Sequence, residues 1–193
     1  KEFFKLSNSY AKLPKVFYEK IKPKPVKNPR LIHFNINLSK EFNIDPNIIN
    51  EENGKLIFSG NVIPKGSNPI AMAYAGHQFG NFVPQLGDGR AILLGELFAK
   101  NGERYDLQLK GSGRTAFSRN GDGRSPLGPV VREYLISESL HYLGINSTRS
   151  LAIVSTGEDV FREKRMPGGV LTRIASSHIR IGTFEFFSYK NDI

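Results

Sequence analysis

The clearest pattern of apolar and polar positions begins at Ala91. AILLGEL (91–97) is a nearly unbroken apolar run, and YDLQLK (105–110) alternates. Both predict strands, and Asn101-Gly102 between them is a strong hairpin-turn signal. PVVREYLISESLHYL (129–143) predicts a helix with Pro129 in its first turn and Gly144 at its C-terminal cap. Residues 149–154 and 170–175 read as further strands, and a helix is expected to open after Ser177. Upstream the pattern weakens. Residues 1–30 read as an arm, and 31–50 mix short apolar pieces with polar breaks, with a short helix opening between Ser39 and Phe42. Residues 60–69 are loop-rich, and no internal repeat is visible. Strands, one central helix and strands again predict an α+β fold, a mixed or antiparallel sheet packed on a helix. The expected division is 1–57 as arm and extension and 58–193 as the principal lobe.

The phase of the central helix decides what Glu133 does. At helical spacing Glu133 shares a face with Ile136, Leu140 and Leu143, and a carboxylate turned inward there needs a cation. The other phase buries Val131, Leu135 and Tyr142 and leaves Glu133 near a boundary. The residue pattern leaves both open.

Composition narrows the class. Of 193 residues, 39% are hydrophobic and 23% charged, an ordinary globular balance. No apolar run reaches membrane-spanning length, no signal-peptide pattern opens the chain, and a cytoplasmic setting is expected. The first residue is Lys, so the natural start is expected upstream. With no Cys, disulfides and thiolate metal sites are excluded in this sequence. The formal net charge of +9 is concentrated early: Lys12, Lys15, Lys20, Lys22, Lys24, Lys27 and Arg30 stand against Glu19 alone, interleaved with four prolines. That reads as a solvated, extended segment. No nucleic-acid-binding motif accompanies it, so nucleic acid is not an expected partner.

Candidate chemistry gathers from Gly87 onward. Gly87-Asp88-Gly89-Arg90 precedes the first strand, where glycines let backbone amides approach a phosphate and Arg supplies charge; alone it is as readily a tight turn. Lys110 ends the next strand, twenty residues past Arg90. A glycine-rich turn followed by a strand-end Lys and a helix Glu is the arrangement of a kinase-type lobe. Arg114, Arg119, Gly121-Asp122-Gly123-Arg124, Arg173 and Arg180 add guanidinium groups suited to phosphate oxygens. Gly111 to Ala116 matches GxGxxA, but a Rossmann site needs a helix to open there, and Gly-, Arg- and Pro-rich sequence follows instead. No P-loop motif occurs, and the four histidines lack metal-ligand spacing.

Three longer strings are more specific: YAGHQFGNFVPQLGDGRAILLGE, LQLKGSGRTAFSRNGDGRSPL and VREYLISESLHYLGINSTRSLAIV. With LTRIASSHIRIGTFEFF, they resemble the SelO (YdiU) family of protein adenylyltransferases, over about residues 58 to 187. The resemblance implies a protein-kinase-like N-terminal lobe. It implies that Gly87, Gly89 and Arg90 form a nucleotide-binding loop, that Lys110 contacts phosphate with Glu133 as its helix partner, and that Asp122 and Gly123 form a second nucleotide loop. It implies that Arg173 and Arg180 bind phosphate. ATP would lie reversed relative to ordinary kinases, so that AMP passes to Ser, Thr or Tyr hydroxyls of a protein and pyrophosphate leaves. The family's proton-accepting Asp and its Mg²⁺ ligands are expected beyond Ile193, so the chain is expected to be an inactive portion of a longer protein. Ordinary phosphoryl transfer and a non-catalytic basic anion- or nucleic-acid-binding module are the alternative readings.

Overall fold

A computed structural model describes residues 3–49 and 51–190. The central pair of strands is β6 (Ala91–Phe98) and β7 (Arg104–Lys110), joined by the turn whose Gly102 takes a φ of +84°. β6 is buried along nearly its whole length, which explains why its sequence is a run rather than an alternation. β7 pairs on its other side with β10 (Arg165–Ala175), which forms a long hairpin with β9 (Arg149–Phe161). β1 (Tyr18–Lys20), β2 (Arg30–Phe34) and β3 (Ile70–Met72) complete the order β1-β3-β6-β7-β10-β9-β2. A short strand β8 (Ser125–Pro126) pairs with β10, giving eight strands. Every pairing is antiparallel. β4 (Gly76–Gln78) and β5 (Asn81–Val83) form a separate hairpin.

The faces of β7 divide the molecule. Leu107 and Leu109 are fully buried on one side, in a core with Val170, Ile174, Phe58 and Ile57. Burying each such side chain contributes about 1.5–3 kcal/mol. Phe4, and Leu38 and Phe42 from and just beyond helix α1 (Ile36–Glu41), share that core, as does α2 (Glu51–Ser59). The early segment therefore packs into the same core as the later strands. Its lysines are exposed, as the charge pattern predicts, but Tyr10, Tyr18, Pro23 and Val26 are buried and β1 forms a sheet edge. The Lys- and Pro-rich stretch did not reveal this, because single apolar residues make the contact.

On the opposite face lies α3 (Leu127–Tyr142), with Val130 against Ile153 and Leu171. Pro129 falls in its first turn, where amides lack intrahelical acceptors. Gly144, at φ +76°, donates to His141 and Ile145 donates to Leu140, the paired bonds of a Schellman cap. Both phases considered for α3 need correction. Leu135 (58% exposed), Ile136, Tyr142 and Leu143 face outward, while Ser137 and Glu138 are buried and Glu133 half-buried. The inward stripe carries carboxylates because the sheet beneath supplies their partners. Glu138 accepts from Arg149 Nε and Nη2 at 3.0 and 2.9 Å, and from the Ser150 amide.

The last helix, α4 (Ile181–Lys190), begins later than the sequence suggests. The Ser177 hydroxyl instead accepts from the Ile179 amide, and the His178 amide is held by Asp106 of β7 at 2.7 Å. No helix among the described residues is long and apolar enough to cross a membrane.

Candidate functional site

The turn before β6 is built by close packing. The amides of Leu86 and Gly87 both donate to the Tyr74 carbonyl, and the Asp88 amide to Met72. Gly87 has φ +58°, and a Cβ there would sit 2.2 Å from the Phe117 ring; one on Gly89 would meet the Phe117 carbonyl at 2.8 Å. These glycines thus answer first to the turn at residues 115–118, whose Thr115 and Ser118 hydroxyls donate to the carbonyls of Asp88 and Gly89. That turn is a single 3-10 turn, not the long helix a dinucleotide motif would require.

Lys110 lies at the end of β7, opposite Ala91, and the next amide, Gly111, donates to the Arg90 carbonyl at 2.7 Å. Strand pairing thereby fixes the lysine beside the glycine turn. Its ammonium donates to Glu133 Oε2 of α3. The other oxygen of Glu133 accepts from Arg173 Nε at 2.7 Å, so one carboxylate holds two cations. Burial, followed by the neighbouring Arg173 charge, pulls Lys110 below the usual lysine range despite the Glu133 contact. Burial raises the Glu133 carboxyl, but Arg173 and Lys110 outweigh it and keep the group below its ordinary value.

Arg180 arrives by a different route. Helix α4 is seated so tightly that a Cβ on Gly182 would lie 1.9 Å from the Ala75 carbonyl oxygen, and this sets the Arg180 guanidinium 4.9 Å from the centre of the Tyr74 ring. Across the cleft, Gly123 takes φ +71° with no room for a Cβ, 2.1 Å from the Gly113 carbonyl carbon. Asp122 accepts from both terminal nitrogens of Arg162, at 2.8 and 3.1 Å, and these bonds hold its carboxyl below the usual range.

Of the candidates named from the sequence, Gly87, Gly89, Arg90, Lys110, Asp122, Gly123, Arg173 and Arg180 line one cavity of about 460 Å³, while Arg114 stays outside it, its guanidinium donating to the Arg119 carbonyl. Glu133 stands behind it, holding Lys110 and Arg173. The wall is rich in cations, with Arg119, Arg124 and Arg162 also present. Its carboxylates are committed: Asp122 to Arg162, and the buried Asp88 to hydrogen bonds from Met72, Tyr74 and Gln108. Fixed guanidinium and ammonium groups beside glycine turns suit a polyphosphate. Among the described residues no group of three or more His, Asp or Glu side chains could hold a metal ion. Of the cavity's two carboxylates, Asp122 is taken up by Arg162 and Asp88 by three buried hydrogen bonds, so neither is presented to a cation there.

Sequence reasoning missed Gln108 and Arg162, and it gave Asp88 no role of its own although it stands inside the glycine motif. Gln108 was detectable, because Asp106, Gln108 and Lys110 share one face of an alternating strand. Arg162 gave no local signal, since it reaches Asp122 from the β9–β10 turn, forty residues away.

The family described as "Protein adenylyltransferase SelO" matches residues 3–193. Proteins named "Protein nucleotidyltransferase YdiU" are similar throughout. The one from Nitrobacter hamburgensis is 59% identical over 98% of this chain and 37% of its own length. That from Maridesulfovibrio salexigens is 61% identical over 96% of this chain and 37% of its own. That from Agrobacterium fabrum is 59% identical over 97% and 39%. The chain thus spans under two-fifths of the length of these relatives. On the family match and on identity sustained along the chain, it belongs to the SelO family of protein adenylyltransferases.

Proposed function

We propose that this chain forms the phosphate-holding wall of an ATP site, in a protein that transfers AMP from ATP to Ser, Thr or Tyr hydroxyls of other proteins and releases pyrophosphate. The observation that carries the reading is the shared carboxylate of Glu133, which aims Lys110 and Arg173 at the glycine turn from two strands. Two cations already desolvated and held in place lose little freedom when they meet phosphate oxygens. Arg90 and Arg180 flank them, so negative charge developing on phosphate and pyrophosphate oxygens meets fixed positive groups.

Among the described residues, those lining the cavity are read as groups that bind and orient the nucleotide rather than accept the substrate proton. Neither cavity carboxylate is free to do so, since Asp122 is paired with Arg162 and Asp88 is only 3% exposed. Proton acceptance and metal binding are assigned to parts of the longer protein, and the 193-residue chain alone is expected not to transfer AMP.

Product mass separates the reading from its rival. Protein substrate incubated with ATP and the intact enzyme should gain the mass of an AMP group. Gain of a phosphate group alone would mean transfer from the γ-phosphate, and the assignment of AMP transfer would be wrong.

A further inference from the structure

The cavity wall is supported by a buried polar chain. Asp88 belongs to the glycine turn by its backbone, and its side chain is buried among groups of β3 and β7 and Tyr74. Its Oδ2 accepts from the Met72 amide at 3.1 Å and from Gln108 Nε2 at 3.3 Å, and its Oδ1 accepts from the Tyr74 hydroxyl at 3.0 Å. Gln108 is fully buried and lies directly across the β7–β10 pairing from Arg173. Its Oε1 accepts from Arg173 Nη1 at 3.1 Å. The amide has only one workable sense. A guanidinium only donates, so the amide oxygen must face Arg173, and the NH₂ must then face the Asp88 carboxylate.

Tyr74 repeats the arrangement on the other side. Its hydroxyl is spent on Asp88, which fixes the ring, and the ring carries the Arg180 guanidinium at 4.9 Å. One carboxylate anchored in the glycine turn thus reaches both arginines, through an amide on one side and an aromatic ring on the other. Gln108 has no exposed surface with which to touch a ligand, so any effect on binding must pass through its partners, of which Arg173 is the one that itself lines the cavity as a cation. Arg side chains carry large rotamer freedom, and holding them in place before the ligand arrives reduces the cost of binding.

We infer that Gln108 and Tyr74, both hydrogen-bonded to Asp88, are positioning residues that aim Arg173 and Arg180 at the ligand's phosphates; this rests on the nucleotide reading above. The amide relay links the glycine turn to Arg173, and the ring links it to Arg180.

A double-mutant cycle in the intact protein tests this, with ATP and adenosine affinities as readouts. Gln108→Met, close in shape but unable to bridge, should weaken ATP about fivefold and leave adenosine unchanged. Added to Arg173→Ala it should cost nothing further, because the residue it positions is gone. Tyr74→Phe keeps the ring but removes the bond to Asp88; it should weaken ATP about threefold, with no further loss on an Arg180→Ala background. This second cycle stands by itself should Gln108→Met not fold. Losses that add in the double variants, or parallel losses for adenosine, would overturn the positioning role. Folded wild-type protein that binds neither ATP nor adenosine would overturn the nucleotide reading and this inference with it.

Discussion

Arg173 and Arg180 both face the proposed phosphates, yet they should fail differently when removed. Arg173 is embedded: its side chain is 11% exposed and it donates to Glu133 and Gln108. Arg173→Ala removes a charge-assisted bond worth about 1.5–3 kcal/mol and leaves the buried Gln108 oxygen without its donor, which costs about 1–3 kcal/mol. Glu133 is 30% exposed and keeps Lys110, so the first contribution is discounted, and a net loss of about 2–4 kcal/mol in folding stability is expected. Arg180 is exposed and rests on the Tyr74 ring, and among the described residues no carboxylate lies within ion-pair distance of it. A cation–π contact at an exposed site contributes about 0.5–1 kcal/mol, so Arg180→Ala should cost no more than about 1 kcal/mol. Each loss should nevertheless weaken ATP by roughly tenfold to a hundredfold, the equivalent of one charge-assisted bond to phosphate, and spare adenosine. Urea denaturation and calorimetric titration of the intact protein read the two quantities separately. Equal destabilisation by the two substitutions, or equal losses of ATP and adenosine, would refute the reasoning.

Three further outcomes are expected. Glu96 is almost fully buried and binds the early segment: Ser7 Oγ, Ser9 Oγ and the amides of Ser9 and Tyr10 all donate to it. Burial would raise its carboxyl, but these bonds prevail and hold it at about 2, against an ordinary 4.5. The folded state thus binds this proton less readily than the unfolded state, so the contribution is complete above about pH 4.5 and fades as pH falls through about 2. Glu96→Gln should cost about 1–3 kcal/mol at neutral pH, and its stability difference from wild type should shrink on acidification; a pH-independent difference would count against the carboxylate. Gly123→Ala should destabilise by about 2–3 kcal/mol in chemical denaturation, because a Cβ at φ +71° would overlap the Gly113 backbone. The 193-residue chain given ATP labelled at the α-phosphate should leave protein substrates unlabelled; labelling that disappears with Lys110→Ala would show a complete active site on it.

Much of this arrangement was legible in the sequence where one local rule governs it. The alternation of YDLQLK places Lys110 with Asp106 and Gln108, and Asn101-Gly102 fixes the β6–β7 hairpin. Pro129 and Gly144 bracket α3 to within a turn. The phase of α3 was not legible, because periodicity arguments assume that apolar residues face inward. Here Glu133 and Glu138 face a sheet that offers Lys110, Arg173 and Arg149, while Leu135 and Ile136 point outward. The β4–β5 hairpin escaped notice for a related reason. Its turn places Phe79 at φ +52°, fully exposed, where turn statistics lead one to expect Asn or Asp. Strands β1 and β2 are short, and lysines and prolines surround them, so tertiary pairing rather than local propensity decides them.

The central claim is that the cavity between the glycine turn and Arg180 holds the polyphosphate of ATP. A crystal structure of the intact protein with a non-hydrolysable ATP analogue tests it most directly. Phosphate oxygens should lie within hydrogen-bond distance of Lys110, Arg173 and Arg180, with Glu133 still holding Lys110. A nucleotide bound elsewhere, or bound here with those three cations turned away from its phosphates, would contradict the account.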